Sequence, residues 1–176
     1  PEIQRLDIRF DIGLLRDALA EVERRKGFSD DVWGAIPLTQ KPGHTGPWSE
    51  NDLSGLYHMR SDERYQEEAF EEPVDEALFS AFVPDFADTY FAEVHATLSQ
   101  HMQIGRMRIL RKVSYNANSW HRDPEPRLHI PILTNPGSLF IVNNHCTHLP
   151  ADGQVYFTDT RGYHTAVNGG LEPRVH

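Results

Sequence analysis

From Arg106 onward the pattern of the chain is that of short, closely spaced strands. They run Met107 to Val113, Arg127 to Leu133, Ser138 to Val142, Val155 to Thr158 and His164 to Asn168, with clusters of Gly, Pro and Asn between them. What precedes them has a different period. Ile3, Leu6, Ile8 and Phe10 suggest an opening strand, after which Asp11 is placed to cap a helix whose Leu14, Leu15, Ala18, Leu19 and Val22 make one stripe, ended by Gly27. Phe86, Tyr90, Val94, Leu98 and Met102 recur every fourth residue, which predicts a second amphipathic helix from about Asp85 to His101. Helices first and strands afterwards predict an α+β chain in which helices support one face of an antiparallel jelly roll.

A length of 176 residues suits one domain with one core. The expectation is a single domain over 1–176, with a helix-rich supporting part at about 1–105 and a strand-rich part at about 106–176. Hydrophobic content of 39% with 24% charged residues is that of an ordinary globular chain. A formal net charge of -9 repels a phosphate backbone, and no basic stripe is interleaved with aromatics, so no nucleic-acid partner is expected. No apolar run approaches the roughly 18 residues of a membrane span, and no signal-like segment opens the sequence; the expected compartment is the cytoplasm, with no membrane partner. The single Cys146 has no internal disulfide partner, in keeping with that compartment. Acidic residues gather between Ser61 and Glu76 and read as a solvated face. Trp48 sits in a Pro- and Gly-rich loop from Gln40 to Asp52, where it either packs or lines a site.

The residues that carry chemistry lie among the strands. His121 and Asp123 are two apart, and in an extended segment such residues point to the same side, so an imidazole and a carboxylate can approach one ion. Pro124 and Pro126 follow, as at a strand end opening into a rim loop. His164 comes 43 positions later, at the start of another predicted strand. Two histidines and one carboxylate on one face leave three positions of an octahedral Fe(II) open, two for a chelating keto acid and one for O2. Arg174, ten residues beyond His164 and past Gly169-Gly170, offers a planar fork suited to the distal carboxylate of 2-oxoglutarate. Each element alone is weak; the combination in a β-rich setting is specific.

Three stretches carry a family resemblance: Ser119-Trp120-His121-Arg122-Asp123, then Arg127-Leu128-His129-Ile130-Pro131-Ile132, then Tyr163-His164 through Asn168 to Arg174. Together they resemble the aspartyl/asparaginyl β-hydroxylase family of oxygenases, which includes bacterial proline hydroxylases. The resemblance covers about residues 106 to 176. It implies a double-stranded β-helix (a cupin-like jelly roll), Fe(II), 2-oxoglutarate and O2 as cofactor and cosubstrates, and hydroxylation of an amino acid, free or within a polypeptide, with release of succinate and carbon dioxide. Retention of Asp123 is similar to the bacterial members, and it fills the position that a halogenase leaves for chloride.

Arg127 and His129 alternate with Leu128, Ile130 and Ile132 in the period of a strand. The resemblance implies that they line the cosubstrate or substrate pocket; the plainer alternative pairs Arg127 with Glu125 or another acid at the surface. His145, Cys146 and His148 form a second cluster of metal-ligand types, read as a solvated hairpin loop because hairpin reach brings only two of them to one face. Asp159 and Asn168 are spaced to orient His164 by hydrogen bonds, although turn capping explains Asp159 equally well. Two rival functions remain at this point: a cupin-like isomerase or hydrolase that uses its metal as a Lewis acid, and a small-molecule binding module without catalysis.

Overall fold

The computed structural model describes residues 1–28, 34–49, 53, 58–60, 67–69 and 74–176. They divide into two compact units that interleave along the chain. One unit takes residues 1–10, 56–73 and 112–176, and the other takes 11–55 and 74–111. The expected single domain drew its internal boundary near residue 105, whereas the opening strand belongs with the C-terminal strands.

The second unit holds the described helices. Asp11 caps α1 (Ile12–Arg25) by accepting a hydrogen bond from the Leu14 amide at 3.0 Å, and Gly27 at φ 73 ends it. Leu15, Ala18, Leu19 and Val22 are buried as the stripe predicts, but Leu14 is 48% exposed at the stripe's edge. The predicted helix at 85–101 is shorter. A 3-10 turn at Pro84–Phe86 precedes α2 (Tyr90–Ser99), and Phe91, Val94 and Leu98 form its buried face. Strand β2 (Ala35–Pro37) pairs antiparallel with β7 (Arg108–Lys112), and β3 (Thr39–Gln40) with β6 (Ala81–Phe82). Glu76 departs from the expected solvated acidic face. It is buried, with its carboxylate 3.3 Å from the Arg106 guanidinium, which lies over the Phe79 ring. Asp62, Glu63, Glu71 and Glu72 of that run lie outside the described residues.

The first unit is built from antiparallel strands. β13 (Gln154–Thr158) is the centre of a three-stranded sheet between β1 (Ile3–Arg9) and β10 (Arg127–His129). A second sheet runs in the order β12 (His145–Thr147), β11 (Ser138–Val142), β14 (His164–Asn168), β9 (His121–Arg122), β4 (His58–Arg60), β5 (Glu67–Ala69). Strand β8 (Asn116–Ala117) shares with β9 the same edge of β14. The inner faces meet in a core of Phe140, Val142, Leu149, Tyr156 and Ala166, with Ile3 against it. The described strand pairs are antiparallel, an arrangement compatible with a β-sandwich or jelly roll. The 145–148 cluster is part of a tighter hairpin than expected: Val142 pairs with His145, only Asn143 and Asn144 form the turn, and Asn143 takes φ 50. No described helix is long and apolar enough to cross a membrane.

Candidate metal centre

Strand pairing builds the site. His164 opens β14 and His121 opens β9, and the two are direct partners across the antiparallel ladder. Opposite residues project to the same face, so the register alone puts the imidazoles side by side, with ring centroids 4.2 Å apart. Asp123 follows His121 by two residues, and its amide donates to the Thr160 carbonyl at 2.8 Å, which holds the exit of β9 beside the chain entering β14. The Asp123 carboxylate comes 3.6 Å from His164 Nε2. The ligand atoms of His121, Asp123 and His164 all lie within 4.8 Å of one another, and it is the one such group of three found among the described residues.

The rings are oriented for a metal. Nδ1 of His121 lies 2.6 Å from the Ser119 carbonyl, and Nδ1 of His164 lies 3.1 Å from the Gly162 carbonyl. A carbonyl only accepts, so each Nδ1 carries a proton and Nε2 is the ring atom left to face a metal. Burial, then the neighbouring His121, pulls the His164 pKa down to about 4, which keeps that ring neutral at ordinary pH. Two imidazoles and a carboxylate, with buried rings, fit a divalent first-row ion. This group can bind a metal ion.

Arg127 falls on that carboxylate. Its Nε donates to Asp123 Oδ2 at 3.0 Å, with side-chain exposures of only 17% and 11%, so an acid that it meets is a residue of the triad. His129 lies against the Phe140 ring at 4.8 Å, and Phe140 against His164 at 5.8 Å. On its other side His129 meets His176, centroid to centroid 5.6 Å. Arg174 is buried on β15 (Arg174–Val175), with Nε 3.0 Å from His176 Nε2 and Nη2 2.8 Å from His176 Nδ1. A continuous layer of rings thus links the triad to the guanidinium. Burial and the adjacent Arg174 charge hold His176 well below the usual histidine range, so it is a neutral neighbour. Arg174 meets no carboxylate among the described residues, and burial lowers its pKa to about 10.

The expected orienting roles of Asp159 and Asn168 are corrected. Asp159 accepts from Arg161 Nε at 2.7 Å, the Asn168 amide donates to the carbonyls of Lys112, Val113 and Glu172, and the Gly162 carbonyl orients His164. His145 and Cys146 are exposed, and His148 Nδ1 is taken by the Ser138 carbonyl at 2.9 Å. In the other unit Trp48 packs under the Lys26 ammonium at 4.8 Å and beside His44 at 6.0 Å. Sequence reasoning missed His176, which had a signal, since it stands two residues after Arg174. Compared with protein-family models and with curated proteins, the chain matches none.

Proposed function

We propose that this chain is an Fe(II)- and 2-oxoglutarate-dependent oxygenase with a double-stranded β-helix fold, hydroxylating an amino acid that is free or part of a polypeptide. The observation that carries the reading is the pairing of the buried triad with a buried arginine, linked by one ring layer and lacking a carboxylate partner among the described residues. A metal hydrolase or isomerase needs the first feature, and the second only where its substrate carries a carboxylate. A keto acid with a distal carboxylate needs both.

When bound, iron supplies the oxidising chemistry, coupled to decarboxylation of the keto acid to succinate. His121, Asp123 and His164 would hold it. Arg174 fixes the far end of the keto acid by charge-assisted hydrogen bonds, setting its distance from the triad. Arg127 holds the Asp123 carboxylate in one rotamer, and the Ser119 and Gly162 carbonyls keep both imidazoles with Nε2 forward. Phe140 and His129 wall the space between the two subsites and keep water from it.

The reading is tested by incubating the protein with Fe(II), 2-oxoglutarate, O2 and a panel of free amino acids and of Asp-, Asn- and Pro-containing peptides, scored for succinate. Succinate release that rises with one member and a mass gain of one oxygen on that member are expected. Intact 2-oxoglutarate throughout, with hydrolysis or isomerisation of a panel member, would transfer the site to metal Lewis-acid chemistry.

A further inference from the structure

The three-stranded sheet ends on β1, whose outer edge pairs with no described strand. Its pairing to β13 is interrupted by a bulge. Arg5 stands opposite Tyr156 and Arg9 opposite Gln154, so three residues of β1 face one of β13. The Gln154 side chain fills the missing rungs, its Nε2 donating to the Leu6 carbonyl and, at 2.8 Å, to the Ile8 carbonyl. Before the bulge the Glu2 carbonyl accepts from the Asp159 amide at 2.7 Å, and after it the Phe10 amide donates to the Gly153 carbonyl at 2.9 Å. Glu2, Leu6, Ile8 and Phe10 thus turn backbone groups inward, and the alternation of a strand turns those of Ile3, Arg5, Asp7 and Arg9 outward, in step on both sides of the bulge.

An edge that carries one sign of charge repels a copy of itself. On β1 the signs alternate. Arg5, Asp7 and Arg9 are exposed, with the half-buried Leu6 and Ile8 between them. Arg9 is partly engaged, its Nε donating to the Asp152 carbonyl at 3.1 Å. Arg5 and Asp7 form no ion pair or side-chain hydrogen bond among the described residues.

We propose that β1 is a self-complementary edge through which two copies of this chain pair, β1 against β1 about a two-fold axis at Leu6, so that two three-stranded sheets become one of six strands. About that axis Arg5 lies directly opposite Asp7 of the second copy, and Asp7 opposite its Arg5, the arrangement in which cross-strand charges attract. The outward amides and carbonyls of Ile3, Arg5, Asp7 and Arg9 complete one another's hydrogen bonds. An axis at Arg5 or at Asp7 sets like charges face to face, and one at Ile8 draws on Arg9, whose guanidinium already serves Asp152. Pairing through a single strand of seven residues makes a small interface, so the dimer forms reversibly with concentration.

The test is sedimentation equilibrium of the purified chain over a micromolar to millimolar range, with amide hydrogen exchange on the same samples. Wild type is expected to dimerise, the Arg5 and Asp7 amides gaining protection as the dimer fills. Arg5→Asp and Asp7→Arg each set like charges opposite one another twice per dimer and are expected to raise the dissociation constant about tenfold or more. The double variant exchanges the two charges and is expected to restore it. Both side chains are exposed, so the circular dichroism of all three variants should match wild type. A monomer at every concentration, a dimer indifferent to both single reversals, or a double variant no tighter than the singles overturns the inference. Protection of the Arg5 and Asp7 amides of a monomer on adding an extended peptide gives the edge to another partner and overturns it as well.

Discussion

His121 and His164 stand directly opposite each other on adjacent antiparallel strands, and Asp123 joins them from two residues further along. The site thus depends on register more than on any long loop. A slip of one residue between β9 and β14 would turn one imidazole to the other face of the sheet and dismantle it. Thr165 and Asn118 guard that register, the Thr165 hydroxyl donating to the Asn118 carbonyl at 2.7 Å and the Asn118 amide to the Ala166 carbonyl at 3.1 Å.

Asp123→Ala is expected to abolish succinate release and to weaken metal binding by orders of magnitude with the fold intact, because Asp123 is a rim residue rather than part of the apolar core. Metal content by mass spectrometry and far-ultraviolet circular dichroism check the two halves of that statement. Near-normal turnover would remove Asp123 from the site.

Arg127 and Arg174 should separate cleanly. Arg127→Met releases the Asp123 carboxylate from its 3.0 Å partner and should weaken metal binding about 10- to 100-fold, as loss of a hydrogen bond behind a ligand does. Arg174→Met should leave metal affinity alone and cost about 2 to 5 kcal/mol in 2-oxoglutarate binding. Side-by-side titrations of both ligands decide between this division and its reverse.

His164 sets an acid limit on the metal-free protein. Its folded pKa of about 4 lies below the ordinary histidine value, so between about pH 6.5 and 4 the unfolded chain takes up a proton that the folded chain refuses. This contribution to stability is therefore complete above that window and is lost as pH falls through it, by about 3 kcal/mol. Urea melts of wild type and His164→Gln across the window should show the wild type losing more stability, and parallel curves would contradict the assignment.

Asn168→Ala should destabilise the fold by about 3 kcal/mol or more, since it strands several buried carbonyl and amide groups at once. Gly170→Ala should also be damaging, because the added Cβ would lie 2.0 Å from Asn135 Oδ1. Chemical denaturation measures both.

The metal triad was legible because period-two spacing and a strand-initial histidine are local signals. Arg174 was legible as a residue, and the ring layer that connects it to the triad was not, since Phe140, His129 and His176 meet only through sheet packing. The strand at Ser138–Val142 and that at His164–Asn168 have the predicted bounds, both being short segments closed off by turn residues. β8 escaped notice because a two-residue strand leaves no periodicity to read, and β9 was legible only as the extended strand end that carries His121. Glu76 was misplaced for a related reason: its partner Arg106 is distant in sequence, and an acidic run looks solvated until a buried guanidinium claims one member.

The central claim is tested most directly by anaerobic titration of the purified protein with Fe(II), followed by 2-oxoglutarate, under visible absorption spectroscopy. The account predicts one Fe(II) per chain in wild type, a weak visible charge-transfer band on adding 2-oxoglutarate, and loss of the band in His121→Ala and His164→Ala. Folded wild-type protein that takes Zn(II) in a closed tetrahedral site and gives no band with Fe(II) and 2-oxoglutarate would contradict it.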